Sequence, residues 1–139
     1  MPLGVGAPTL SGIPGFNYNY GIRANPGGGN ANATPLTAWT NTVTTVATAA
    51  DSVMLPPGYG GERVTVCNLG ANSCQLFGYM STAVGDVVTD VIAPLASGTF
   101  VATGLAIAAN NTAVVECVLG QGGNTNAITP ARWKVVSLG

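Results

Sequence analysis

The chain has 139 residues, a formal net charge of -1 and only 6% charged residues against 47% hydrophobic ones. That length suits one domain with a real core. The cations Arg23, Arg63, Arg132 and Lys134 are scattered, so no basic field awaits a phosphate backbone, and no nucleic-acid partner is expected. With so little charge, Thr, Asn and backbone amides must provide solubility, and such a surface tends to be covered by partners.

No apolar run approaches the roughly 20 residues that span a bilayer, so no membrane partner is expected. The start, Met1-Pro2-Leu3-Gly4-Val5-Gly6-Ala7-Pro8, is broken by Pro and Gly, unlike a signal peptide. Synthesis and assembly in a cytoplasm is the simplest expectation.

In chain order, residues 1–35 come first, with Gly and Pro spaced so closely that helices and long strands are prevented. Apolar residues recur through the segment, and Phe16-Asn17-Tyr18-Asn19-Tyr20 alternates aromatic with Asn at strand period. We expect an extended Gly/Pro/Asn-rich N-terminal arm over 1–35, laid against another protein through Phe16, Tyr18, Tyr20 and Ile22. The plainer alternative is a disordered tail or a flap on its own domain.

Residues 36–139 form the expected β domain. Leu36 to Thr48 is Thr-rich and β-branched, with Trp39, Val43 and Val46 as inward candidates. Asp51 to Leu55 is a short strand closed by the turn cluster Pro56-Pro57-Gly58-Tyr59-Gly60-Gly61. Glu62 to Tyr79 reads as a β-hairpin around Asn68-Leu69-Gly70-Ala71-Asn72, with Cys67 facing Cys74, Val66 facing Gln75 and Val64 facing Phe77. Opposed Cys67 and Cys74 would permit a disulfide, although directly opposed positions strain one; buried thiols are the simpler reading.

Further strands are expected over 83–93, 99–102, 105–108, 112–119 and 132–136, with a loop over 120–129. The spacing of turn signals predicts an all-β fold: a sandwich, jelly roll or small barrel of about eight short antiparallel strands. Trp39, Phe77, Phe100 and Trp133 are read as core. Tyr59 and Tyr79, beside Gly at strand ends, are possible surface contacts for a subunit or a sugar.

Chemistry is hard to find. The chain has no histidine, the commonest general base and metal ligand. Asp86 and Asp90 bracket a turn better than they make an acid/base pair, and no carboxylate spacing suits calcium. We therefore expect no enzyme, no catalytic residue, no cofactor and no metal.

One resemblance adds a direction. Leu55-Pro56-Pro57, Gly61 to Val66, Asn68 to Asn72, Gln75-Leu76-Phe77, Gly85-Asp86-Val87-Val88, Thr112 to Val115 and the terminal Trp133 together resemble small β-domain virion structural proteins of tailed bacteriophages. The resemblance covers roughly 80 residues, by the motifs just named, and excludes the first 50. It implies a virion location on the outer capsid surface and a capsid decoration, or cement, role. The partner would be the major capsid protein, engaged by a homo-oligomer, first of all a trimer. A fibre or spike subunit, or a glycan-binding β module, is the alternative it leaves open.

Overall fold

A computed structural model describes residues 17–81, 88–94, 98–124 and 127–139. Among them every regular element is a strand and none is a helix. The strands are β1 (Tyr18–Arg23), β2 (Thr34–Pro35), β3 (Thr40–Thr45), β4 (Ser52–Met54), β5 (Arg63–Asn68), β6 (Cys74–Phe77), β7 (Met80–Ser81), β8 (Val88–Thr89) and β9 (Val91–Ala93). They continue as β10 (Leu105–Ile107), β11 (Thr112–Leu119), β12 (Gly122–Asn124), β13 (Ala127–Thr129) and β14 (Arg132–Leu138).

Two mixed sheets hold most of them. The larger runs β1-β3-β5-β11-β14-β9 and the smaller β10-β6-β4-β2, while β7-β8 and β12-β13 are small pairs. An entirely antiparallel fold was expected, and the pairing corrects it. β1, β3 and β5 lie parallel to one another in the large sheet, β2, β4 and β6 do the same in the small one, and β9 lies parallel to β14. The chain therefore winds three times from large sheet to small, as β1 to β2, β3 to β4 and β5 to β6, stacking each turn on the last. The crossing from β10 to β11 runs the opposite way and closes the stack antiparallel, β10 on β6 and β11 on β5.

Alternation explains the core. Val64 and Val66 of β5, Ala113, Val115 and Cys117 of β11, and Trp133 and Val135 of β14 point inward, as do Val53 of β4, Cys74 and Leu76 of β6 and Ile107 of β10. All of them belong to one apolar cluster. Burying an aliphatic side chain contributes about 1.5–3 kcal/mol, so this shared cluster is the main cohesive term.

The expected hairpin is the clearest departure. β5 and β6 belong to different sheets, so Cys67 lies beside Thr42 and Thr112, whereas Cys74 lies beside Ile107. All three cysteines are free. The cause is Asn68, fully buried, whose Nδ2 donates to the carbonyls of Asn72 (2.8 Å) and Ile107 (2.9 Å) while its Oδ1 accepts from the Gly70 amide (2.9 Å). Those bonds arch the chain over the end of the core. The arch also lets Val66 and Leu76 both face inward, where the expected register had set Val66 against Gln75.

The corners stack as the strands do. Asn72 Nδ2 donates to the carbonyls of Val46 and Ala47, each at 2.9 Å, and Asn25 exchanges two backbone bonds with Ser52. Gly28 lies in the left-handed region at φ 73°, and a Cβ there would collide with the Ala50 carbonyl. The Gly27-Gly28-Gly29 run is thus a corner piece: all three glycines have positive φ, and at Gly28 there is no room for a side chain either.

Residues 17–35 are built into this fold. β1 forms the edge of the large sheet, β2 the edge of the small one, and Ile22, Ala24 and Ala33 are buried. Residues 1–16, with Phe16, lie outside the described residues, as does the Gly85-Asp86-Val87 turn.

Candidate functional site

Of the sequence-derived contact residues, Tyr18 and Tyr20 are 57% and 64% exposed on β1, with ring centroids 6.3 Å apart. The Tyr18 hydroxyl reaches Thr42 Oγ1 at 3.3 Å. Ile22 is buried in the core cluster. Tyr59 is 70% exposed, whereas Tyr79 is half-buried and accepts the Asp90 amide at its carbonyl.

Trp39 overturns its expected place. It is 44% exposed, because the bend before β3 puts Ala38 inward and leaves the indole outside. Its backbone is fixed on both sides: the amide donates to Asn17 Oδ1 (3.1 Å) and the carbonyl accepts from the Thr65 amide (2.8 Å). Asn41, fully buried, pins the same bend by donating to the Ala38 carbonyl at 2.7 Å and accepting from the Ala38 amide.

Asn17, Thr37, Ala38, Trp39, Pro56 and Glu62 line an open groove of about 200 Å³. It lies where the chain returns from the small sheet to the large one on its first two turns. Glu62 Oε1 accepts from the Tyr59 amide at 3.3 Å. Burial pushes the Glu62 carboxyl up from its ordinary value, and that hydrogen bond opposes the rise. Beyond Glu62 the surface continues through Tyr59 to β11, since the Gly61 amide donates to the Cys117 carbonyl and the Gln121 amide to the Gly58 carbonyl. Val118 and Leu119 are 49% and 46% exposed there. Trp39, Tyr59, Val118 and Leu119 are all exposed, the first beside Glu62 in the groove lining and the others on the loop and strand end that these two bonds join.

Beneath the loop over residues 56–61 lies a buried polar cluster. Asp90 is fully enclosed, and its Oδ1 accepts from the Ala131 amide at 2.8 Å. Trp133 Nε1 and Gln121 Nε2 converge on the other carboxylate oxygen without closing a bond of good geometry, and all three atoms are buried. No group of three or more His, Cys, Asp or Glu side chains that could hold a metal ion occurs among the described residues.

Compared with protein-family models, with curated proteins and with solved structures, the chain matches none.

The sequence had no signal for the groove. Its lining comes from two corners and the residue before β1, and only the stacking of successive turns brings Asn17, Thr37, Pro56 and Glu62 around Trp39.

Proposed function

We propose that the chain is a non-enzymatic virion structural protein, a capsid decoration subunit whose exposed aromatics grip neighbouring major capsid subunits. In this reading the two sheets make a sandwich on the outer capsid surface, and the subunits gather as trimers. The observation that carries it is the pair Tyr18 and Tyr20, more than half exposed on the first strand of a domain with few charges. Large aromatic rings held on a strand lose little conformational freedom on contact, and such residues dominate protein interfaces. Repetition over a lattice would multiply a modest contact into firm attachment.

Deleting residues 1–35 would not test this, since it removes two strands and the buried Ile22, Ala24 and Ala33. The test is the full chain carrying Tyr18→Ser and Tyr20→Ser, co-sedimented with particles stripped of the native protein. Loss of attachment with an unchanged melting temperature supports the reading. Undiminished attachment overturns it, as does finding only a few copies of the native protein per particle.

A further inference from the structure

We propose that the groove beside Trp39 is a saccharide site, taking one pyranose ring stacked on the indole. It goes beyond the attachment reading and does not depend on it. Three features of the groove select this ligand class.

The first is a single exposed aromatic side chain on an anchored backbone. The Trp39 amide is held by Asn17 and its carbonyl by Thr65, so the point from which the indole projects at the groove is set before any ligand arrives. A pyranose with axial hydrogens on one face sets partly positive C–H groups against the negative face of the ring.

The second is unused hydrogen-bonding capacity around that face. Asn17 spends its Oδ1 on the Trp39 amide and leaves Nδ2 for a ligand. Glu62 accepts from Tyr59 through one oxygen and leaves the other, and the Thr37 hydroxyl makes no hydrogen bond among the described residues. A donor, an acceptor and a hydroxyl around one indole suit the hydroxyls that fan from the rim of a sugar ring.

The third is size. At about 200 Å³ and open to solvent, the groove falls below the roughly 300–1,000 Å³ of pockets that enclose drug-sized ligands. It fits one ring of an oligosaccharide that continues over the surface. A proline-rich peptide would want parallel aromatic ridges, and the lining has one aromatic.

The experiment is a glycan array of oligosaccharides ending in gluco-, galacto- or N-acetylhexosaminyl pyranoses, probed with the full chain. The best-bound oligosaccharide is then titrated in solution while tryptophan emission is followed. Trp133 is completely buried, so a change in acrylamide quenching on binding reports Trp39. The expected result is array binding, protection of Trp39 from quenching, an affinity loss of tenfold or more in Trp39→Ala, and a several-fold loss in Thr37→Val and Glu62→Gln. Tyr20→Ala should bind as the wild type does.

Protection from quenching in the wild-type chain needs no variant, so a misfolded Trp39→Ala would leave the test intact. Failure to bind any arrayed sugar overturns the proposal. So does sugar binding that leaves Trp39 equally quenchable, or binding of a proline-rich peptide in place of sugars.

Discussion

Asn68 and Ile107 are joined by a hydrogen bond of 2.9 Å that ties the third large-to-small crossing to the one that runs back. The Asn68 backbone makes the same junction, donating to the Asn111 carbonyl (2.9 Å) and accepting from the Asn110 amide (2.7 Å). Asn68→Ala keeps those backbone bonds but strands the Gly70 amide and the Asn72 carbonyl and leaves the Ile107 carbonyl only the longer bond from the Ser73 hydroxyl (3.4 Å). Each net bond is worth about 0.5–1.5 kcal/mol, and stranded buried groups add to the loss. We expect Asn68→Ala to cost about 2–4 kcal/mol. In urea the midpoint should fall while the slope stays constant; a midpoint shift under 0.5 M would contradict the arch.

We expect Asp51 to govern the acid limb of stability. Its carboxylate accepts from the Thr48 hydroxyl (2.6 Å), the Ala47 amide (2.8 Å) and the Thr48 amide (3.1 Å). The Thr48 hydroxyl leads in holding the carboxyl below its ordinary value of 3.8, against an opposing effect of burial. A depressed folded value means that the unfolded chain binds the proton more tightly. The stabilisation is therefore present above about pH 4 and lost as the pH falls through the folded value. Asp51→Asn should flatten thermal stability between pH 4 and pH 2, and an unchanged acid slope would show that another carboxylate controls it.

Asp90 works with the opposite sign. Burial dominates and raises its carboxyl above 3.8, while the Ala131 and Gly58 amides and the neighbouring Trp133 and Gln121 N–H groups pull it down. A raised folded value makes its contribution greatest below the unfolded value, with the difference lost as the pH rises through the folded one. Asp90→Asn removes that fall but turns an amide toward the Trp133 and Gln121 donors. The variant should be less stable than wild type at pH 7, by about 1–3 kcal/mol, with the gap growing as the pH falls through the raised folded value and widest below about pH 4. Equal stability at both pH values would refute this account of the cluster.

The strands could be read from the sequence and their partners could not. Thr112 to Leu119 and Arg132 to Val136 announce themselves by β-branched alternation, and the inward set Val64, Val66, Val115 and Trp133 follows from period two. The three stacked turns leave no repeat of fixed length, because their corners, 24–33, 46–51 and 69–73, differ in length and chemistry. Asn68-Leu69-Gly70 has the composition of a tight reversal, yet composition does not say whether Asn68 points out to solvent or in toward Ile107. Trp39 was misplaced for a similar reason. A tryptophan among Thr and Val reads as core, and only the bend pinned by Asn41 turns it outward.

The thiols should differ sharply in reactivity. Burial pushes Cys74 up to about 12 and Cys117 up to about 11, with Asp51 adding to the first and Glu62 to the second. Both are fully enclosed, whereas Cys67 is partly exposed on the opposite face of its strand. Because the thiolate is the nucleophile, iodoacetamide at pH 8 should add one group to the native protein, at Cys67, and three after unfolding. Rapid native labelling at Cys74 or Cys117 would mean that the core opens more readily than its packing implies.

Gly58 is the last test, because it joins the exposed loop that carries Tyr59 to the buried cluster beneath it. Its φ is unremarkable, so the demand for glycine there is one of space alone. A Cβ at Gly58 would lie 2.5 Å from the Ala131 Cβ and 3.1 Å from both Cys117 Sγ and Trp133 Nε1. None of these can retreat easily, since Ala131 and Trp133 are completely buried and Ala131 is held by its bond to Asp90. Overpacking of this kind costs about 1–3 kcal/mol, and here it would also push the Trp133 indole off Asp90. Gly122 has open space where its Cβ would stand, so it serves as the control. Gly58→Ala should lower the melting temperature by several degrees and shift Trp133 emission, while Gly122→Ala should do neither. A Gly58→Ala protein that melts with the wild type would mean that the loop over residues 56–61 is free to lift away from Trp133.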